Sequence, residues 1–348
     1  MPVRRTVLLT LAAAVVAVPT AARSAPARFE PVSFSAVSDS DYWILGRIAC
    51  RAGRCFAIER TTDGGRTFAR VSAPALPTEG TTPTLRFADL HDGFAYVPWA
   101  AAIYATHDGG ATWRRLALGE VLAFASGGGY AYAVTARCTR RGCADVRFRR
   151  SPASADAWTA APLPFATDGS PFGLAAHGTT VWLLGTQAGT LGAHPDVLAR
   201  SSDGGRTFVT GPGPCYAGLG GDLEPVSTRV VWTVCPTGMM ADAYRSTDGG
   251  IRFRPLKTPP LVNSSILAPT SATTAVLARN GARSPLLRTT DGGRTWTRPA
   301  TPRTPLDTAW VGFTDARTGT AIVQTGPTKQ ALWRTTDGGA RWTAVPLP

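Results

Sequence analysis

From about residue 33 onward the chain alternates short apolar runs with turns rich in Gly, Pro, Asp and Thr. Runs at 43–45, 130–134, 181–184 and 230–234 are dominated by Val, Leu, Trp and Tyr, a composition that favours strands. Each lies at a similar distance upstream of an octapeptide that the chain writes seven times, beginning at Thr61, Thr106, Ser151, Ser201, Ser246, Thr289 and Thr335. Six copies read Ser/Thr-x-Asp-Gly-Gly-x-x-Trp/Phe, with Asp63, Asp108, Asp203, Asp248, Asp291 and Asp337 at the third position. Successive third positions are 45, 45, 50, 45, 43 and 46 residues apart, a period that marks a repeat architecture.

Asp-Gly-Gly is a turn signal: Asp accepts from nearby backbone N–H groups, and Gly takes positive φ at little cost. An apolar residue stands three positions before each copy (Ile58, Ile103, Phe148, Leu198, Ala243, Leu286 and Leu332) and an aromatic ends it. Each octapeptide therefore predicts a hairpin tip between two antiparallel strands, with the aromatic packing back across the turn. The third copy, Ser151 to Trp158, has lost the Asp and both glycines but keeps the hydroxyl, the aromatic and the register. Two further strands fit upstream of every copy, and no long amphipathic helical stretch follows the amino terminus. Four short strands per repeat predict an all-β, seven-bladed propeller of four-stranded antiparallel blades.

The blades are expected at roughly 32–75, 82–118, 119–163, 170–212, 220–258, 264–300 and 306–348, one domain over 28–348. The first blade opens with its inner strand and the seventh closes with its own outer strand, so no blade draws on both chain ends. Closure then rests on packing between blades one and seven, unless residues 28–31 add an edge strand to the seventh.

On its octapeptides the chain resembles the BNR or Asp-box repeat propellers, a group that includes sialidases, sortilin-type receptors and photosystem-II assembly-factor-like proteins. The resemblance spans essentially the whole chain after residue 27. It implies a fold more than an activity, because the box is a structural turn carried on unrelated functions.

Arg4 and Arg5 precede an apolar run at 6–18 and then small residues, which reads as a cleaved secretory signal over 1–27, cut after Ala22 or Ala27. No segment beyond it reads as a membrane span. Six cysteines fall into three local pairs, Cys50/Cys55, Cys138/Cys143 and Cys215/Cys235. The first two share a C-x4-C spacing at one phase of the repeat. Local disulfides worth roughly 2 kcal/mol for each short loop and roughly 3 for the longer one are expected in an oxidising compartment. Zinc is the competing reading; it fails because the two C-x4-C pairs sit two blades apart with no His pair nearby. No metal or cofactor is expected, and a monomer is.

The formal net charge is +13, and only Lys257 and Lys329 are lysines, so the basicity is arginine. Much of it is positional: Arg60, Arg150, Arg200, Arg245, Arg288 and Arg334 stand just before octapeptides, where bracing or solvation of the hairpins is expected. A second group surrounds the C-x4-C hairpins: Arg47, Arg51 and Arg54 at the first, Arg137, Arg140 and Arg141 at the second. These hairpins belong to the end of the ring opposite the octapeptides, the end that usually carries the ligand in the propellers this chain resembles. Guanidinium forks there suit carboxylates or phosphates. Trp99, after Pro98 in a loop, is the candidate exposed aromatic, whereas Trp43, Trp182 and Trp232 in second strands are expected in the core. Nucleic acid is a poor partner for an exported chain.

The resemblance to sialidases implies three arginines on a sugar carboxylate, an Asp acid and a Tyr–Glu pair. The family's Arg-Ile-Pro segment is absent; Arg47-Ile48-Ala49 is the nearest string. Asp222 and Glu224 with Tyr216 could supply a carboxylate–tyrosine group in blade five, which their spacing does not force. The four His residues are scattered, and Gly127-Gly128-Gly129 reads as a turn. The expectation is a secreted, non-catalytic binding propeller that recognises a protein or an acidic glycan at the face opposite the octapeptides. The alternative is a sialidase-like exo-glycoside hydrolase.

Overall fold

The computed structural model describes residues 29–348 apart from 52, 141, 168–170, 191, 193–194, 282–285 and 328. The expected leader and Arg141 lie outside the described residues. Among the described residues the chain is all-β: seven antiparallel sheets, each running outward from an inner strand. The inner strands are Glu30–Ala36, Thr84–Phe87, Glu120–Gly127, Gly173–His177, Asp222–Pro225, Ile266–Pro269 and Asp307–Phe313. They neighbour one another in chain order, and the seventh touches the first, which closes a ring around a central channel. Second strands such as Thr180–Gly185 and Ala275–Ala278 are buried throughout, since adjacent blades cover both faces. That is why they read as continuous apolar runs rather than alternating ones.

The six octapeptide turns that keep the Asp share a core of hydrogen bonds. In the first, Thr61 Oγ1 donates to Asp63 (2.8 Å) and accepts from Gly65 N (3.0 Å), while Asp63 accepts from Thr67 N (3.0 Å) and Thr67 Oγ1 (2.6 Å). The same arrangement recurs around Asp203 and Asp291. The Thr67 hydroxyl and amide, joined by Thr61, hold the Asp63 carboxyl well below the usual carboxylate range. Gly64 and Gly65 sit at φ of 75° and 88°, where a Cβ is disfavoured. Gly64 N also donates to Ser40 O in the first turn of the same blade, and the equivalent bond joins Gly109 to His91 and Gly249 to Arg229. Octapeptides and first turns therefore share one face, and the hairpins between second and third strands form the other.

The arginines before the octapeptides do not brace their own hairpins; they reach to the next blade. Arg150 Nη1 donates to Gly204 O (3.1 Å) and Arg288 Nε to Gly338 O (2.7 Å). Arg334 of blade seven donates to Gly64 O and Asp39 O of blade one. The degenerate third octapeptide works the same way in reverse. Its carboxylate has moved to Asp156, which meets Arg114 and His107 (3.4 Å) of blade two. Packing between blades one and seven closes the ring alongside the Arg334 bonds: Phe29, Phe34 and Tyr42 bury against Ile322 and Leu332. Glu30 and Pro31 pair with Arg47 and Gly46 of their own blade, so they add no edge to the seventh.

Two blades depart from four strands. Blade six has three, Ile266–Pro269, Ala275–Ala278 and Leu286–Thr289, with the fourth reduced to a bridge from Arg288 to Thr297. Pro299 cannot donate to a ladder, and Ala300 pairs instead with Arg341 of blade seven. Blade five gains a short strand, Leu261–Val262, on Met240–Ser246. All three disulfides form. Cys215 lies in Val209–Tyr216, the outer strand of blade four, rather than in a link entering blade five. Its bond to Cys235 therefore staples two blades together. Three disulfides point to an oxidising, extracytoplasmic environment.

Candidate functional site: a rim of hairpins and the channel beneath

The C-x4-C hairpins extend blades one and three well beyond the strand ends of blade two, which lies between them. In blade two the second and third strands end at Tyr96 paired with Ile103. The equivalent pairs, also three residues before the octapeptide, are Leu45 with Ile58 in blade one and Val134 with Phe148 in blade three. From there the strands continue five residues further, to Cys50 and Thr139. At about 3.3 Å per residue each hairpin reaches roughly 17 Å beyond the strand ends of blade two.

Arg51 and Arg54 are exposed at the first hairpin and Arg140 at the second, with no ion pair among the described residues. Arg137, also exposed, is 3.5 Å from Asp145, which pairs more closely with Arg147 (2.8 Å). Arg47 lies lower and half-buried, its guanidinium 5.7 Å from the centroid of Phe56. It braces the hairpin base rather than the tip. Trp99 occupies the blade-two loop between the two hairpins, 44 % exposed, with its amide donating to Val121 O of blade three. Trp99 and Asp145 are the non-glycine residues at positive φ among the described residues, 63° and 56°. Both stand on this face. A bulky residue at positive φ is uncommon and is held there only by its surroundings.

The channel carries a second group, whose members differ from those adjacent in sequence. Asp222 and Glu224 project from the inner strand of blade five into the bore, whereas Tyr216 ends the outer strand of blade four and lines a separate cavity with Leu219 and Asp242. Their actual counterpart is Arg86, on the inner strand of blade two. Arg86, Ser126 and Glu224 line both of two adjoining channel cavities, of about 360 and 270 Å³. The acids are open to channel water but ringed by protein on all sides. That desolvation, with the like charge of Asp222 and against the pull of Arg86, pushes Glu224 up to about 7; Asp222 is raised as well. Arg86 escaped notice because a lone arginine in Thr-Leu-Arg-Phe has no motif around it; its place one residue before the end of an inner strand was the available signal.

No protein-family model matches the chain, and no curated protein matches it. Solved propellers do. One, described as YCF48 bound to D1 peptide, is 16 % identical over 92 % of this chain and 99 % of that one, with a TM-score of 0.55. YCF48 from Cyanidioschyzon merolae is 13 % identical over 90 % and 97 %, with a TM-score of 0.56. A puromycin-hydrolysing peptidase of Mycobacterium tuberculosis is 10 % identical over 92 % of this chain but only 53 % of its own length, with a TM-score of 0.59. At these identities the likeness is one of fold.

Proposed function

We propose that the protein is an exported binding propeller that docks a protein segment bearing acidic side chains on the face opposite the octapeptide turns. The observation that carries this reading is the pair of arginine-tipped, disulfide-closed hairpins flanking Trp99. The hairpins supply unpaired guanidinium groups on either side, and the aromatic supplies apolar contact area at the floor between them. A propeller of the same fold has been seen with a peptide bound, which supports a peptide over a glycan as the ligand class.

The test is fluorescence anisotropy with a labelled Asp/Glu-rich peptide and its Asn/Gln counterpart. The acidic peptide binds, its affinity falls steeply with added salt, and replacing Arg51, Arg54, Arg137 and Arg140 by Ser weakens it by about a hundredfold, two factors of ten. Equal binding by the variant, or by the neutral peptide, removes the basis of the proposal. Binding of a polyuronate but of no acidic peptide transfers the site to glycans.

The hydrolase alternative has one observation in its favour, the paired carboxyls Asp222 and Glu224 in the channel. Among the residues lining both channel cavities, however, the only arginine is Arg86, and Tyr96 is buried. The three-arginine, free-tyrosine constellation that the sialidase resemblance implies is not assembled there. Turnover of a fluorogenic sialoside is the measurement that would restore it.

A further inference from the structure

Three charged side chains line the two channel cavities with no hydrogen bond or ion pair to another described residue: Arg86 on blade two, and Asp222 and Glu224 on blade five. Blades two and five are three apart in a ring of seven, as distant as such a ring permits. The bore therefore has a positive wall and a negative wall. Its other lining residues, among them Ser126, Ala176 and Trp310, carry no charge. Charges held in an enclosed space without partners are costly, and opposite charges close enough to pair would do so. Arg86 attracts Glu224 across the cavity but makes no contact with it, which leaves space between them.

We propose that the channel is a binding site for a small zwitterion, of amino-acid to dipeptide size, lying across the bore. Its carboxylate meets the Arg86 guanidinium, whose planar fork matches a carboxylate in two parallel hydrogen bonds. Its ammonium group meets Asp222 and Glu224, which sit two residues apart on one strand and so face the same way. A lone cation would leave Arg86 unpartnered, and a lone anion would leave both carboxyls so. Only a ligand charged at both ends satisfies the three together. The cavity of about 360 Å³ accommodates one of this size.

The site has a built-in pH dependence. Glu224 faces Asp222 and Arg86, and the remaining titratable group in the lining, Tyr96, has its hydroxyl driven up by burial. Glu224 gains its charge as pH rises through about 7. The ammonium end is therefore held more tightly at pH 8 than at pH 6.

Calorimetric titration of the whole protein with a series of unbranched ω-amino acids, from glycine to aminohexanoate, and with glycylglycine tests this at pH 8. Saturable binding with an optimum of chain length is expected. Blocking either end, as the N-acetyl or methyl-ester form, weakens it at least about tenfold, as do Arg86→Gln and Glu224→Gln. The wild-type protein binds the best probe more weakly at pH 6, a readout that needs no variant to fold. The rim variant of Arg51, Arg54, Arg137 and Arg140 binds the zwitterion as wild type does, which separates this site from the rim. Absence of saturable binding by every probe, or affinity unchanged in both channel variants, overturns the proposal.

Discussion

Trp43→Ala lowers the free energy of unfolding by about 4 kcal/mol, the largest effect expected of a single substitution in this chain. The side chain is wholly buried in the second strand of blade one. Its ring stacks on Phe87 of blade two at 3.7 Å and 6°, and its indole N–H donates to Gly109 O in the octapeptide of that blade (2.9 Å). Arg60 also lies over the ring, its guanidinium 4.9 Å from the centroid. Truncation thus opens a cavity between two blades, strands a carbonyl and removes a cation–π contact at one stroke. Trp43→Phe keeps a stacked ring but loses the donor and part of the buried ring volume, so about 1–2 kcal/mol is expected of it. Guanidinium-induced unfolding monitored by circular dichroism measures both. Trp99→Ala, on the surface, is the control and stays within about 0.5 kcal/mol of wild type. A loss below about 1.5 kcal/mol in Trp43→Ala would show that the blades are not coupled through this residue.

Removing the Cys215–Cys235 bond by Cys→Ala at both positions costs about 3 kcal/mol by loop-closure arithmetic on its 20-residue separation. The two sulfurs are nearly fully buried among Trp182, Leu184, Leu223 and Val231, so the bridge is also part of the core joining blades four and five. The hairpin bridges differ. Cys50–Cys55 and Cys138–Cys143 close short loops that project beyond the ring, and their loss loosens the hairpins without unseating a blade. Thermal melts of the three double variants separate the cases: a shift of several degrees for Cys215/Cys235 and a smaller one for each hairpin pair. Equal shifts in all three would contradict the inter-blade role.

The ring was legible because its repeat is written in backbone chemistry. Asp-Gly-Gly, the Ser/Thr before it and the apolar residue three positions upstream are local demands of one turn, so they recur wherever the turn does. The second strands were legible for a related reason: burial between two blades leaves Val181, Trp182, Leu183 and Leu184 no polar face to alternate with. What the sequence concealed depends on neighbours about a repeat away or further. The arginines before the octapeptides looked like local bracing, but the carbonyls they bind belong to the next blade. Cys215 falls in the link between the expected blades four and five because the boundary between an outer strand and a link leaves no compositional mark. Asp222 and Glu224 were visible, yet linear proximity offered Tyr216 as their companion, while the ring places them with Arg86, three blades away. Blade six lost its fourth strand to Pro299, a residue that reads equally well as the end of a short strand.

Arginine at the rim has a different origin from arginine at the octapeptides. Arg150, Arg288 and Arg334 are consumed in holding blades together. Arg51, Arg54 and Arg140 are left over, on hairpins longer than the ring requires. That contrast, more than the net charge, singles out one face for binding.

Hydrogen–deuterium exchange of the protein with and without an Asp/Glu-rich peptide tests the central assignment most directly. Slowed exchange at 47–56, 97–102 and 136–145, with the turns at 61–68, 201–208 and 289–296 unchanged, is the result expected when two cystine-braced arms close on a ligand over Trp99. Protection confined to those Asp-Gly-Gly corners, or spread evenly round the ring, would place the contact surface elsewhere.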